Sequence, residues 1–269
     1  MSDVAISLRN VTRRFHPKKR PPFVAVSDVT LDVPSGTFLS VVGPSGCGKS
    51  TLLGMISGLQ PASAGEVYVQ GTPVRDVRRE IGFIFQRDAL LPWKTVLDNV
   101  ALALVFRGRA KPEARDVARS WITRVGLAGF EGYYPHQLSG GMRKRVSLAQ
   151  TLVYDPPIVL MDEPFSALDV QTRNLMENEL LQLWAVDRKT VVFITHDLEE
   201  AISLSDQVVV MTASPGRIKA VYPIELPRPR NVTEIRFEPA FGRIYERLWA
   251  DLRDEVLTSY EQSKARAAG

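Results

Sequence analysis

The chain has 269 residues, 45% hydrophobic and 24% charged, which is the balance of an ordinary globular protein and enough length for one large domain or a domain with a sub-domain. Its net charge of +4 and pI near 9.2 admit an anionic partner, but Lys18-Lys19-Arg20 beside Pro21-Pro22 reads as a solvated hairpin loop and no basic stripe is interleaved with aromatics, so nucleic acid is not expected. The longest apolar candidate for a membrane span, Val100 to Phe106, stops at Arg107; the start carries Asp3 and Arg9 without a signal core, and the single Cys47 forms no internal disulfide and suits a reducing cytosol.

In chain order, Ile6, Leu8 and Val11, then Val24, Val26, Val29, Leu31 and Val33, alternate as antiparallel strands do, with Pro34-Ser35-Gly36 as a turn. The apolar run Phe38-Leu39-Ser40-Val41-Val42 enters Gly43-Pro44-Ser45-Gly46-Cys47-Gly48-Lys49-Ser50-Thr51 and then the helical run Leu52 to Ile56. Strand, glycine loop and helix in that order make a nucleoside triphosphate site. Gly43, Gly46 and Gly48 let the backbone curl so that N–H groups point at the α and β phosphates, and the positive end of the helix adds to that field. Lys49 would reach the β and γ phosphates, the Ser50 hydroxyl would ligate Mg²⁺, and Thr51 would be their neighbour. The alternative, a Gly/Ser turn that happens to precede a helix, does not account for the full spacing and both flanks.

A further strand pair is suggested by Gly65 to Val69 and Ile81 to Phe85. From about Leu97 to Leu152 the pattern turns helical, with Val100, Leu104 and then Ala114 to Val125 behind Pro112, and reads as an inserted helical sub-domain. Within it Leu138-Ser139-Gly140-Gly141 opens a helix, either as a simple Ser cap or as a second anion-binding nest. Strand signals return at Ile158 to Met161, Val191 to Ile194 and Val208 to Met211, continuous apolar runs of the kind a parallel sheet buries on both faces, with a crossover helix over Val170 to Trp184. Asp162 and Glu163 follow the first of these runs, at the sheet edge where α/β proteins bind ligands. Asp162 suits Mg²⁺ and Glu163 suits the general base for an attacking water; two acids capping the next helix is the alternative. After the turn Ser214-Pro215-Gly216 and a Pro-rich connector, Ile244, Leu248, Leu252 and Val256 behind Pro239 make one amphipathic helix.

The glycine loop, Leu138-Ser139-Gly140-Gly141, Ile158 to Pro164, Ser166-Ala167-Leu168-Asp169 and Thr195-His196-Asp197, in that order, resemble the ATP-binding subunits of ABC transporters from about Ile6 to Met211. The resemblance implies an α/β fold with a P-loop NTPase (RecA-like) core, an antiparallel β sub-domain and an inserted helical sub-domain. It places an ATP-binding domain over 4–235, its helical sub-domain over about 87–153, and a helical tail over 236–269. It further implies ATP and Mg²⁺ as ligands and a head-to-tail homodimer in which the Ser139, Gly140 and Gly141 nest of one copy completes the glycine loop of the other. Gln86 resembles the glutamine that contacts Mg²⁺ and the attacking water, and His196 the histidine that meets the γ phosphate and holds Glu163; taken alone, His196 is equally a cap or core residue. Phe15 stands where an aromatic stacks on adenine, with Phe23 as competitor, and Asp169 resembles the acid that crosses the dimer interface. Two positions depart from the pattern: Met142 replaces the usual glutamine of the signature, and Arg13 to Pro22 is longer than usual.

Gln86 to Val96, Ser214 to Ile218 and Leu226 to Arg230 resemble the importers of the nitrate, sulfonate and taurine group. That implies a peripheral ATPase at the cytoplasmic face of the membrane, a permease partner, and a solute-binding protein as indirect partner. Leu90, Leu91 and Trp93 would form an exposed apolar socket for a permease helix, an internal packing cluster being the alternative. A soluble ABC ATPase would be expected to show tandem cassettes or a coiled-coil insertion, and a small-molecule kinase would need neither Ser139-Gly140-Gly141 nor His196.

Overall fold

A computed structural model describes residues 3–18 and 21–268. The Lys18-Lys19-Arg20 loop and the extra length of Arg13 to Pro22 fall in part on positions 19 and 20, and the chain start on Met1 and Ser2, outside the described residues.

Strands β1 (Val4–Phe15) and β2 (Phe23–Pro34) pair antiparallel, and their alternating apolar residues close over one face. Next come β3 (Phe38–Val42), α1 (Lys49–Ile56), β4 (Ala64–Val69) and β5 (Thr72–Pro73). Four of these strands form an antiparallel sheet in the order β2-β1-β4-β5. The larger sheet has six strands, completed by β6 (Ile81–Ile84), β7 (Ile158–Asp162), β8 (Thr190–Ile194), β9 (Gln207–Met211) and β10 (Ile218–Pro223), in the order β10-β9-β3-β8-β7-β6. All its pairs are parallel except β9 with β10. Strands β3 and β8 are buried along their whole length, because apolar runs without alternation bury both faces.

The expected pairing of Gly65 to Val69 with Ile81 to Phe85 does not form: β4 joins the antiparallel sheet, while β6 lies beside β7 at the edge of the other. The burial patterns give the reason. β4 buries only Val67 and Val69 and suits a one-faced sheet, whereas β6 hides all but Phe83.

Between β6 and β7 lie α2 (Val96–Val105), α3 (Lys111–Arg124) and α4 (Gly140–Leu152). They share a core of Val96, Val100, Leu104, Ala118, Ile122 and Val146, residues spaced to face inward at helical period. The far side of α4 sends Leu148 and Leu152 into a second cluster with Val159 and Met161 of β7. Helix α5 (Val170–Asp187) joins β7 to β8, and α6 (Leu198–Leu204) joins β8 to β9. After α7 (Val232–Ile235) the tail helix α8 (Pro239–Ala268) buries Phe241, Leu248 and Leu252 with Val208 and Val210 of β9. Each fully buried side chain of this size contributes about 1.5–3 kcal/mol. Val256, expected on that buried stripe, is 41% exposed, because the inward face of α8 passes from Leu252 to Glu255, Ser259 and Gln262, of which Glu255 accepts from the Ala213 N–H and Gln262 donates to the Ser214 carbonyl. No helix among the described residues is long and apolar enough to cross a membrane.

Candidate functional site

Parallel strands end on one edge, so the loops after β3, β6, β7 and β8 emerge side by side. This juxtaposes the glycine loop, Gln86, Asp162-Glu163 and His196, which are far apart in sequence. The glycine loop runs from Gly43 into α1, with Gly48 as N-cap at φ 99. A Cβ there would lie 2.6 Å from Val26 Cγ2 and 2.7 Å from the Ala25 carbonyl oxygen, so only glycine lets the loop pass against β2. Gly46, at φ 76, turns the loop with open space around it.

Lys49 is 6% exposed, and its Nζ donates to the carbonyls of Gly43 at 2.8 Å and Pro44 at 3.0 Å. The ammonium is thus held inside the curl of the loop. Cys47 is buried beside it, and burial pushes its thiol upward against the opposing pull of Lys49. Ser50 Oγ donates to Asp162 Oδ1 at 3.0 Å; desolvation raises the Asp162 carboxyl, with the Ser50 hydrogen bond acting against it. A cavity of about 510 Å³ lies above, walled by Ser45, Lys49, Ser50 and Thr51 on one side, Gln86 and Glu163 on another, and Phe15 and Phe23 on a third. The two rings stack at 5.3 Å, and the Arg13 guanidinium lies 4.7 Å from the Phe15 ring, which leaves Phe23, at 49% exposure, the freer of the pair.

Glu163 adopts φ 42, an uncommon conformation for a residue with a side chain, and its N–H donates to the Ile194 carbonyl at 3.0 Å. Its Oε2 accepts from Gln86 Nε2 at 3.3 Å and lies 3.2 Å from His196 Nδ1. The His196 loop is braced from behind. Asp197 caps α6 through Glu199 N–H at 2.8 Å, Thr195 Oγ1 donates to the buried Glu200 at 2.5 Å, and Arg173 of α5 ion-pairs with both acids. This brace went unread in the sequence, where only the Arg and acid spacing along α5 and α6 signals it.

Ser139 is the N-cap of α4, its Oγ accepting from Met142 N–H at 3.2 Å. Asp169 caps α5 by accepting from Thr172 N–H at 3.0 Å, and that hydrogen bond holds its carboxyl below the usual range. Both caps are exposed, and neither Ser139, Gly140, Gly141 nor Asp169 lines the Lys49 cavity. The expected apolar socket is smaller than read: Trp93 is 72% exposed, with Phe85 at 42% nearby in sequence, but Leu90 packs onto the α2–α4 core.

A family model described as ABC transporter matches residues 26–166. An uncharacterized ABC transporter ATP-binding protein of Methanocaldococcus jannaschii is 50% identical over 235 residues, 87% of this chain and 86% of that one. The aliphatic sulfonates import ATP-binding protein SsuB of Bacillus cereus is 38% identical over 259 residues, 96% of this chain and 97% of the relative. Among solved structures, a dimeric ATP-binding cassette in a post-hydrolysis state, bound to ADP and Pi, matches at a TM-score of 0.73 and 33% identity, covering 82% of this chain and 100% of that one.

Proposed function

The chain belongs to the ABC transporter family as an ATP-binding subunit that hydrolyses ATP, and from that premise we propose that two copies work head to tail beneath a membrane permease to import a small anionic solute of the nitrate, sulfonate or taurine kind. In this reading 4–235 is the ATP-binding unit, about 87–153 its helical sub-domain and 236–269 its tail. The observation that carries the dimer is the separation of the two loops: the Ser139 nest stays outside the cavity that holds Lys49, Ser50 and Glu163. A second copy supplies the missing wall, its Ser139, Gly140 and Gly141 meeting the γ phosphate and its Asp169 crossing the interface. A dimeric cassette among the matching structures supports the pairing, and a relative named for sulfonate import supports the solute class.

Lys49 moves from the Gly43 and Pro44 carbonyls to the β and γ phosphates, where a phosphate oxygen replaces them as acceptor. Glu163 takes the proton of the attacking water, while Gln86 and His196 hold the carboxylate and the water in line. Phe15 or Phe23 stacks on the adenine. The residues fit Mg²⁺: Ser50 Oγ and a partly desolvated Asp162 oxygen sit 3.0 Å apart, a hard-oxygen pair of the kind that shares the ion with phosphates and water, and Gln86 stands close by. When bound, the ion neutralises charge on the β and γ oxygens.

Closing an open pair requires about 5.5 kcal/mol of differential binding to reverse a hundred-to-one preference. One aimed hydrogen bond to a transition-state oxygen is worth roughly 3 kcal/mol, so the shared γ-phosphate contacts of two sites are of the right size, and their loss on hydrolysis reopens the pair. Trp93, exposed in the loop after Gln86, passes that motion to the permease, which holds the subunit at the cytoplasmic face of the membrane. A solute-binding protein delivers cargo from the other side. The test is uptake: cells lacking the gene are expected to lose import of one of radiolabelled nitrate, an alkanesulfonate or taurine, restored by the wild-type gene and not by Glu163→Gln. Unchanged import of all three would overturn the solute class.

A further inference from the structure

Lys144 stands out as a lysine on the buried face of α4, in helical phase with Gly141, Leu148 and Leu152, and only 4% exposed. Its ammonium has three oxygens close by, two of which accept hydrogen bonds from it. Nζ donates to the Gln86 carbonyl at 2.9 Å and the Phe85 carbonyl at 3.3 Å, and it ion-pairs with Asp88 Oδ1 at 3.1 Å. Arg143 holds the other Asp88 oxygen at 3.3 Å and donates to the Leu138 carbonyl at 2.7 Å. Every one of these Lys144 partners lies in the segment that carries Gln86, which in turn donates to Glu163 at 3.3 Å.

A buried cation is a costly way to hold two segments together. A methionine of similar volume would fill the same space without the ammonium's desolvation penalty, and replacing both charges of a buried pair by apolar groups is often neutral or stabilising, although removing one alone leaves its partner's charge buried. What methionine lacks is the set of directed bonds to the backbone on which Gln86 is carried. We propose that Lys144 is a positioning residue for hydrolysis: it fixes the backbone of Gln86 at the register where the Gln86 side chain meets Glu163. Because Lys144 lies one turn beyond Ser139 on the same helix, it also makes the signature nest and the hydrolytic residues of one copy move as a single body. The inference rests on the reading of Gln86 and Glu163 as hydrolytic residues given above.

The test uses the full chain and compares Lys144→Met, which keeps the volume and loses the bonds, with Lys144→Arg, which keeps a cation and donors. Lys144→Met is expected to lower kcat about 10²-fold, the scale of a misplaced catalytic group, while the Kd for a fluorescent ATP analogue stays within about twofold. Lys144→Arg is expected to recover part of that loss. In a Gln86→Ala background the same Lys144→Met change is expected to cost nothing further, since the residue it acts through is gone. A kcat unchanged in folded Lys144→Met, a Kd that worsens in step with kcat, or losses that multiply with Gln86→Ala would each overturn the proposal. Should Lys144→Met fail to fold, the paired change Lys144→Met with Asp88→Asn, which removes the same backbone bonds and leaves no charge of the pair buried, is read by the same criteria. Glu163→Gln runs alongside: normal turnover there would remove the underlying reading, whereas an inactive Glu163→Gln beside a fully active Lys144→Met would overturn the positioning role alone.

Discussion

Replacing Glu163 with glutamine separates proton transfer from every other property of the site. The amide has the shape of the carboxylate and keeps an oxygen within reach of Gln86 Nε2, now 3.3 Å away, and a hydrogen-bonding group toward His196 Nδ1, now 3.2 Å away. The backbone at φ 42 is held by the Ile194 carbonyl and by Ser166 Oγ, which donates to the Glu163 carbonyl at 3.0 Å, and neither contact involves the side chain. What is lost is the negative charge and with it the capacity to accept a proton from water. General-base catalysis contributes about 10²–10⁴-fold, which at about 1.36 kcal/mol per decade is about 2.7–5.4 kcal/mol of barrier. Lys49 and Ser50 hydrogen-bond to Gly43, Pro44 and Asp162 rather than to Glu163, so nucleotide affinity is expected to hold or to improve as a negative charge leaves the cavity. Phosphate release in a single turnover measures the rate, and titration with a fluorescent ATP analogue measures the affinity. Turnover within about tenfold of wild type, less than the least that general-base catalysis supplies, would refute Glu163 as the base. So would a fall in affinity that accounts for the whole loss of rate.

Lys49→Ala is expected to abolish measurable binding of the fluorescent analogue, since it removes both the phosphate contact and the bonds that hold Gly43 and Pro44; binding within about tenfold of wild type would contradict the phosphate role. Phe23→Ala is expected to weaken adenine nucleotides by about 1–3 kcal/mol, and Phe15→Ala by less, because Arg13 and Phe23 already engage the Phe15 ring; the reverse order in a titration would assign the stacking to Phe15. Glu177 of α5 is fully buried among Glu200, Asp197, Arg173 and Arg236, and burial, followed by the charge of Glu200, pushes its carboxyl up to about 8. The folded protein then keeps a proton that the unfolded chain has released, so this contribution is complete below the ordinary carboxylate range and is lost as pH rises through 8. The slope is at most about 1.4 kcal/mol per pH unit. Glu177→Gln, neutral throughout, is expected to gain thermal stability relative to wild type between pH 6 and pH 8, and a difference independent of pH would contradict the shifted carboxyl.

The glycine loop and the buried central strands were legible because each is encoded locally, by spacing in Gly43 to Thr51 and by unbroken apolar runs in β3, β7 and β8. Partnership between strands was not. Gly65 to Val69 and Ile81 to Phe85 both read as strands, but alternation carries no address, and only the number of buried faces separates them. β10 escaped notice because a half-exposed edge strand between Gly216 and a proline-rich connector has little apolar periodicity. The trio of Gln86, Glu163 and His196 required the parallel sheet to bring its loops together, which no single segment reveals. Lys144 could have been found from phase alone, since counting from Gly141 to Leu148 and Leu152 places it inward. Val256 and Leu90 mark the converse limit: a four-residue repeat drifts off the inward face of a helix, which in α8 passes to Glu255 and Gln262, and a loop residue's direction has no period at all.

The claim on which the account turns is that the Ser139 nest of one copy faces the Lys49 loop of another when ATP is bound. Cys47→Ser removes the native thiol, and Glu163→Gln holds the nucleotide; in that background, one population carries Ser139→Cys and a second carries a cysteine at the exposed Ser45 of the glycine loop. A short thiol cross-linker applied to the mixture is expected to join the two populations with ATP and Mg²⁺ and to leave them apart with ADP or without nucleotide. Absence of the mixed product with ATP, or equal yield in all three conditions, would contradict the head-to-tail pair.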